Sequence, residues 1–379
     1  MIYLDNGATT KPHEDVIASY TQVSDRFFAN PSSIHELGAT VADLQTEARK
    51  QIANLLHVAP EEVMFTSGGT EGNNLAIKGV ALQHQKRGSH IITTEAEHPS
   101  VYNTCRALEK LGFRVTYLPV NQYGTVNVSA VENALTDDTI LVSIMHVNNE
   151  IGSINPVEAI ATLLRHYPKL FFHVDAVQSL GKVPLDLSID GIDLCTFSGH
   201  KIHGLKGTGM LYVRRGTTLF PLFHGGDQEL TLRAGTENVA GNVSFARAIR
   251  LIKEKEQVKL DHLIQLRKQV IIGLTKLEHV HINSPEKGAP HIIHVSVPGI
   301  KPEVIIHALY EKGIVISTQS ACSSKQLAES RILRACGHDI ERASSGLRIT
   351  LSYETTEQDV SMFLMQIKNT IQELRKVLE

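Results

Sequence analysis

Apolar positions along the chain fall into two textures. From about residue 60 to 215, short runs rich in β-branched and aromatic residues alternate with stretches that place apolar residues at helical spacing. The runs at 63–66, 90–94, 114–118, 140–145, 170–175, 194–198 and 210–213 predict strands. The amphipathic stretches 72–86, 100–111 and 157–166 between them predict helices, as does 37–56 further upstream. Strand and helix in alternation is the pattern of a largely parallel sheet wrapped by helices. After Thr236 the texture changes. A long, charge-rich helical stretch over 245–277 leads into a second α/β region. Strands are expected there at 291–297, 315–317 and 347–352, with helices at 302–312 and from Thr356 to the end. No repeat or low-complexity tract interrupts the chain, so the pattern reads as two α/β regions joined by a helix.

Composition narrows the function classes. The 379 residues are 42% hydrophobic and 20% charged, which is globular usage and not that of a disordered chain. The formal net charge of -3 supplies no basic excess for direct nucleic-acid binding. No apolar run reaches membrane-spanning length and no secretory signal is visible at Met1, so a cytoplasmic protein with no membrane partner is expected. Cys105, Cys195, Cys322 and Cys336 form no C-x-x-C pair, and none of the 19 histidines sits in an H-E-x-x-H pattern. Free thiols in a reducing compartment, and no bound metal, are the expectation.

Several short blocks carry chemistry. In Phe65-Thr66-Ser67-Gly68-Gly69-Thr70-Glu71 a strand ends, a glycine pair turns and a helix begins, which makes an anion site or simply a capped turn. Asp175 ends a buried strand, where a carboxylate either pairs with a protonated ring nitrogen or caps a helix. Lys201, in Ser198-Gly199-His200-Lys201, follows the next strand. It is a nucleophilic amine if desolvated and a surface lysine otherwise. The order anion turn, strand-end Asp, strand-end Lys is what pyridoxal 5'-phosphate (PLP) requires: a phosphate grip, a pyridinium partner and a Schiff-base amine. Cys322, in Ser320-Ala321-Cys322-Ser323-Ser324, has small hydroxylic neighbours that suggest an exposed, reactive thiol, whereas Cys105 and Cys195 sit in apolar settings. Cys336, near a helix end, reads as structural. His98 stacks on a ring and shuttles protons near neutral pH, or is an ordinary loop histidine. Arg348, inside an apolar strand, wants an anion from the protein or from a substrate.

Blocks spread along nearly the whole chain resemble the cysteine desulfurase family of the NifS/IscS kind, fold type I PLP-dependent enzymes within the class V aminotransferases. They include Tyr3-Leu4-Asp5 with Ala8-Thr9-Thr10, Asn30-Pro31-Ser32-Ser33 with His35, and the Ser67-Gly68-Gly69-Thr70 turn. Glu97-His98, His146-Val147-Asn148-Asn149-Glu150, His173-Val174-Asp175-Ala176 with Gln178 and Ser198-Gly199-His200-Lys201 follow. Gly225-Gly226 with Arg233, Gly235-Thr236, and Ser320-Ala321-Cys322 complete the series. The resemblance implies a seven-stranded mainly parallel sheet in a large PLP-binding domain, residues 16–255. It also implies a smaller C-terminal α+β domain made of residues 1–15 and 256–379, which carries the Cys322 loop. By the same resemblance Lys201 would hold PLP covalently, Asp175 would bind the pyridine nitrogen, Gln178 the ring hydroxyl oxygen, and His98 would stack on the ring. Thr70, Ser198 and His200 would hold the phosphate, with Thr236 reaching in from the second subunit of a homodimer. Gly69 and Asn149 would also touch the cofactor. Asn149, Arg348 and Asn30 would bind the L-cysteine substrate, Cys322 would carry the persulfide, and His98 would deprotonate the incoming thiol.

The sequence departs from the family pattern in places. Asn6-Gly7 stands where Tyr-Ala or Tyr-Ser is usual, Leu205 where a proline is common, and Gln319 where the loop usually has glycine. The chain ends at Glu379 without the longer tail that resembling iron–sulfur housekeeping members use to dock a scaffold. A dedicated protein acceptor, such as a tRNA-thiolation enzyme, is then expected beside the iron–sulfur scaffold. An aminotransferase or selenocysteine lyase on the same scaffold, and a non-catalytic binding homologue, are the competing readings.

Overall fold

The computed structural model describes residues 1–318 and 329–378. Twelve strands and eleven α-helices are present among them. The strands are β1 (Ile2–Tyr3), β2 (Val63–Thr66), β3 (His90–Thr94), β4 (Arg114–Leu118), β5 (Thr139–Met145), β6 (Phe171–Asp175), β7 (Leu194–Ser198), β8 (Gly209–Val213), β9 (His281–Ile282), β10 (Ile292–Ser296), β11 (Ile314–Val315) and β12 (Gly346–Thr350). The helices are α1 (Glu14–Arg26), α2 (Glu36–Leu56), α3 (Gly69–His84), α4 (Pro99–Glu109), α5 (Val128–Ala134), α6 (Val157–Leu164), α7 (Val239–Thr275), α8 (Pro302–Glu311), α9 (Arg331–Ala335), α10 (Ile340–Ser344) and α11 (Glu357–Leu378).

Seven strands form one sheet in the order β2-β8-β7-β6-β5-β3-β4. The pairings from β7 through β4 are parallel, and β8 runs antiparallel to both β7 and β2. The turn-filled stretch 199–208 between β7 and β8 is too short for a crossover helix, so the chain must reverse there. β3, β5, β6 and β7 therefore end on one edge of the sheet, and the residues after them (His98, Asn149, Asp175 and Lys201 among them) gather there.

The C-terminal region holds an antiparallel sheet, β12-β10-β9, and the parallel pair β1-β11. Helix α7 begins on α1 and α2 and ends against β9, β10 and α11. One apolar cluster runs through both sheets, with Phe172, Val174, Phe245, Ile252, Val295 and Ile349 all buried in it. The long helix contributes to that cluster from both of its halves, with Phe245, Ile249 and Ile252 early and Leu266, Val270 and Leu274 late.

The segment after β1 ties the two regions together. Asn6 Nδ2 donates to the Thr350 carbonyl (3.0 Å), the Gly7 amide donates to Thr350 Oγ1 (2.7 Å), and the Thr10 amide donates to the His200 carbonyl (2.9 Å). A Cβ placed on Gly7 would lie 2.8 Å from Thr350 Cγ2. The threonine methyl takes the room that alanine or serine would need at residue 7, which accounts for one departure from the family pattern. Gly7→Ala is expected to destabilise the protein by about 1–3 kcal/mol. Adding Thr350→Ser removes the methyl but keeps the hydroxyl, and should recover most of that loss. A double-mutant cycle from chemical denaturation measures the coupling, and additive losses would contradict it.

Candidate active site

At the carboxyl edge of the large sheet lies a cavity of about 210 Å³. Gly69, Thr70, His98, Asn149, Asp175, Gln178, Ser198, His200, Lys201 and Arg348 all line it. Residues separated by nearly 280 positions in the sequence are thus brought together by the strand ends and by β12. Thr236 and Asn30 are exposed and lie outside this cavity in the chain that carries them. Cys322 lies outside the described residues. The neighbouring described residues reach the site from both sides. Ser317 pairs with Arg348 in an isolated bridge, and the Arg331 guanidinium donates to the carbonyls of Glu95 and Glu97.

At one end of the cavity, the chain leaves β2 and enters α3 through Gly68, whose φ of 145° lies in the region that favours glycine. A Cβ on Gly69 would fall 2.8 Å from Val177 Cγ2, so the backbone packs close to the loop after Asp175. The free amides of α3, the Thr70 side chain and Ser198 converge here. Ser198 Oγ is buried without a hydrogen-bond partner among the described residues. His200 Nδ1 lies 3.3 Å from Thr9 Oγ1, and burial, followed by the charges of Lys201 and Lys206, lowers its pKa to about 4.

In the middle, Asp175 is buried at the end of β6. Asn73 Nδ2 donates to its Oδ2 (2.7 Å) and the Val177 amide to its Oδ1 (3.0 Å). Burial raises its pKa, while these two donors and Lys201 oppose the shift. A buried carboxylate hydrogen-bonded only by neutral donors is suited to a cationic N–H group in the cavity. Lys201 Nζ donates to the carbonyls of Gly7 (2.6 Å) and Ala8 (2.8 Å). Gln178 Nε2 donates to the same Gly7 carbonyl (3.1 Å). Behind Lys201, the buried Lys182 Nζ donates to the Lys201 carbonyl (2.8 Å), and burial lowers the Lys182 pKa to about 7.

His98 is the N-cap of α4, and its Nδ1 accepts from the Ser100 amide (3.2 Å). Burial, then the charges of Lys201, Arg331 and Arg348, lower its pKa to about 4. That shift favours the neutral ring, whereas the sequence reading has His98 shuttling protons near neutral pH. Glu97, buried beside it, accepts from Thr94 Oγ1 (2.9 Å) and the Met145 amide (3.0 Å), and burial raises its pKa to about 8.

At the far end, Arg348 is 1% exposed. Its Nη1 donates to the Asn149 carbonyl (3.0 Å), and its Nη2 to Asp5 Oδ1 (3.2 Å) and Ser317 Oγ (3.1 Å). Both alternatives for this residue coexist: the protein carboxylate is present, yet Arg348 Nε and Asn149 Oδ1 are buried without hydrogen-bond partners among the described residues. Unpaired buried groups of this kind call for a ligand. An anion grip, a buried carboxylate, a lysine amine and a guanidinium lining one cavity fit a phosphorylated heteroaromatic cofactor and an amino-acid substrate.

The reading of the other thiols also has a structural basis. Cys105, Cys195 and Cys336 are buried, and burial raises each thiol's pKa. Sequence reasoning missed Asn73, Ser100, Asp5 and Lys182. Asn73 lies three residues after Thr70, on the same face of α3, and that spacing was its only signal.

A family model described as aminotransferase class-V matches residues 2–363. The chain is 44% identical to a NifS/IcsS protein homolog of Lactobacillus delbrueckii subsp. bulgaricus, over 100% of this chain and 99% of that one. It is 42% identical to cysteine desulfurase IscS of Dictyoglomus turgidum, over 99% of this chain and 96% of the relative. The solved structure of a NifS-like protein superposes with a TM-score of 0.92 at 37% identity, covering 98% of this chain and 99% of that one. Fold, cavity and similarity along the full length agree: the chain belongs to the class-V aminotransferase family, among its NifS/IscS-like cysteine desulfurases.

Proposed function

We propose that the protein takes sulfur from L-cysteine with PLP as its cofactor, releases L-alanine and carries the sulfur as a persulfide on Cys322. The observation that supports this most directly is that Lys201, Asp175 and Arg348 line one cavity whose anion end contains the unpaired Ser198 hydroxyl. When bound, PLP supplies an electron sink conjugated to the amino acid. Lys201 would hold the cofactor through its amine, Asp175 would pair with the ring nitrogen, and Gln178 would bind the ring oxygen. Gly69, Thr70, Ser198 and His200 would hold the phosphate, and His98 would stack on the ring.

Arg348 would hold the substrate carboxylate by donating from Nε, which has no hydrogen-bond partner among the described residues, and Asn149 would donate to it from Nδ2. Asn149 is itself held beside Arg348 by its backbone carbonyl, which accepts from Arg348 Nη1. The Lys201 amine would move the Cα proton of the substrate. The Cys322 thiolate forms a bond to the substrate sulfur as the carbon–sulfur bond breaks. The electron pair stays with the carbon fragment, which is protonated and leaves as alanine. Exchange with a thiol on an acceptor protein, a tRNA-thiolation enzyme or an iron–sulfur scaffold, discharges the persulfide. Among the described residues, no helix is long and apolar enough to cross a membrane. We place the reaction in the cytoplasm.

The segments that carry Asn30 and Thr236 expose Phe28, Ile34, Leu37, Phe223 and Leu230. Apolar exposure on that scale supports a homodimer in which Thr236, and Asn30 with it, serve the site of the second copy.

Incubation with L-cysteine and a reductant is expected to yield alanine and sulfide in equal amounts, with no keto-acid exchange. Cys322→Ser should keep the cofactor absorbance and its change on adding cysteine, while alanine and sulfide fall to background. Sulfide release at the normal rate would refute the nucleophile assignment. Ile34→Glu should shift the protein from dimer to monomer by light scattering and weaken PLP retention on dialysis. An unchanged dimer would remove the basis for placing Thr236 in the opposite site.

A further inference from the structure

A chain of hydrogen bonds joins His98 to Asp175. Asn73 Nδ2 donates one N–H to Asp175 Oδ2 (2.7 Å) and the other to Ser100 Oγ (2.8 Å). The orientation of the Asn73 amide is fixed, because a carboxylate oxygen calls for a donor. Ser100 Oγ, accepting from Asn73, lies 2.7 Å from His98 Nδ1 and has its own O–H to give. The Ser100 backbone amide points at the same ring nitrogen (3.2 Å). A hydroxyl can rotate, but a helix amide cannot. A proton on Nδ1 would face the Ser100 N–H directly, so Nδ1 must accept.

We infer that Ser100 is a positioning residue that locks His98 in the tautomer with its proton on Nε2, so that the ring acts toward the cavity as an N–H donor and not as a base. The inference deepens the proposed function and rests on it for the reaction served. It changes the role the sequence suggested for His98. Nδ1 is occupied by two donors from one residue, and Nε2 makes no hydrogen bond to the described residues. His98 lines the cavity, so Nε2–H is the ring's free hydrogen-bonding group there. Such a group can stabilise a sulfur anion by donation but cannot take up the thiol proton at the same nitrogen. The start of α4 adds its aligned amides, which favour the neutral ring over the cation. Asn73 gives the arrangement a second function. It ties the orientation of His98 to that of Asp175, so the groups on the ring face and at the ring nitrogen are set together.

The test uses the PLP-loaded dimer labelled with 15N-histidine. His98 is assigned by the signals lost in His98→Gln, and long-range proton–nitrogen correlation reads which ring nitrogen carries the proton at neutral pH. In the wild type Nδ1 should be unprotonated and hydrogen-bonded, with Nε2 protonated. Ser100→Ala should move the Nδ1 resonance toward that of an acceptor lacking its hydroxyl donor. It should also lower kcat roughly 3- to 10-fold, as expected for one lost hydrogen bond, with KM for cysteine little changed. Ser100→Thr, which keeps the hydroxyl, should restore both. A wild-type His98 protonated on Nδ1 would overturn the assignment whatever the variants do. So would a Ser100→Ala protein with unchanged resonance and unchanged kcat. If the protein does not convert cysteine at all, the functional reading fails, while the tautomer measurement still decides the role of Ser100.

Discussion

The Asp175 carboxylate sits buried at the end of β6, hydrogen-bonded by the Asn73 side-chain amide and the Val177 backbone N–H, and much of the surrounding arrangement follows from keeping that position electrically balanced. A carboxylate taken out of water needs either a proton or a cation. Its buried neighbour Glu97 is pushed by burial to a pKa of about 8 and so brings no second negative charge at neutral pH. The histidines around the cavity are held neutral: burial lowers His98, His146 and His200 each to about 4. Positive charge in the cavity wall is left to Lys201 and Arg348, where an amine and a carboxylate grip are needed.

Much of the scaffold was legible in the chain because buried parallel strands leave continuous apolar runs with little ambiguity. The runs that predicted β2, β3, β4 and β7 match the observed strands residue for residue. The antiparallel course of β8 was not legible, because apolar runs carry no direction and only the short link after Ser198 shows it. Helix α1 was missed because its apolar positions are sparse, with only Val16 and Val23 buried.

The site was legible where a residue type is rare for its setting: a lysine or aspartate at a strand end, or an arginine within an apolar strand. It was illegible where an ordinary residue matters only through a contact made in three dimensions. Asn73 and Ser100 belong to different helices and meet at 2.8 Å, and nothing in their local sequence marks the meeting. Asp5 touches Arg348 across most of the chain length. The glycine at residue 7 stood out as a departure, but its cause, the methyl of Thr350, lay at the other end of the sequence.

The Gly7 peptide is bonded on both sides: its amide to a residue 343 positions away, its carbonyl to Lys201 and Gln178. During synthesis, the wall against which the reactive amine rests cannot close until β12 has left the ribosome and paired. A truncated or stalled chain would hold nearly all of the large sheet and still lack a finished catalytic chamber. Contacts between remote stretches of sequence thus make completion of the cavity wall a late event in folding.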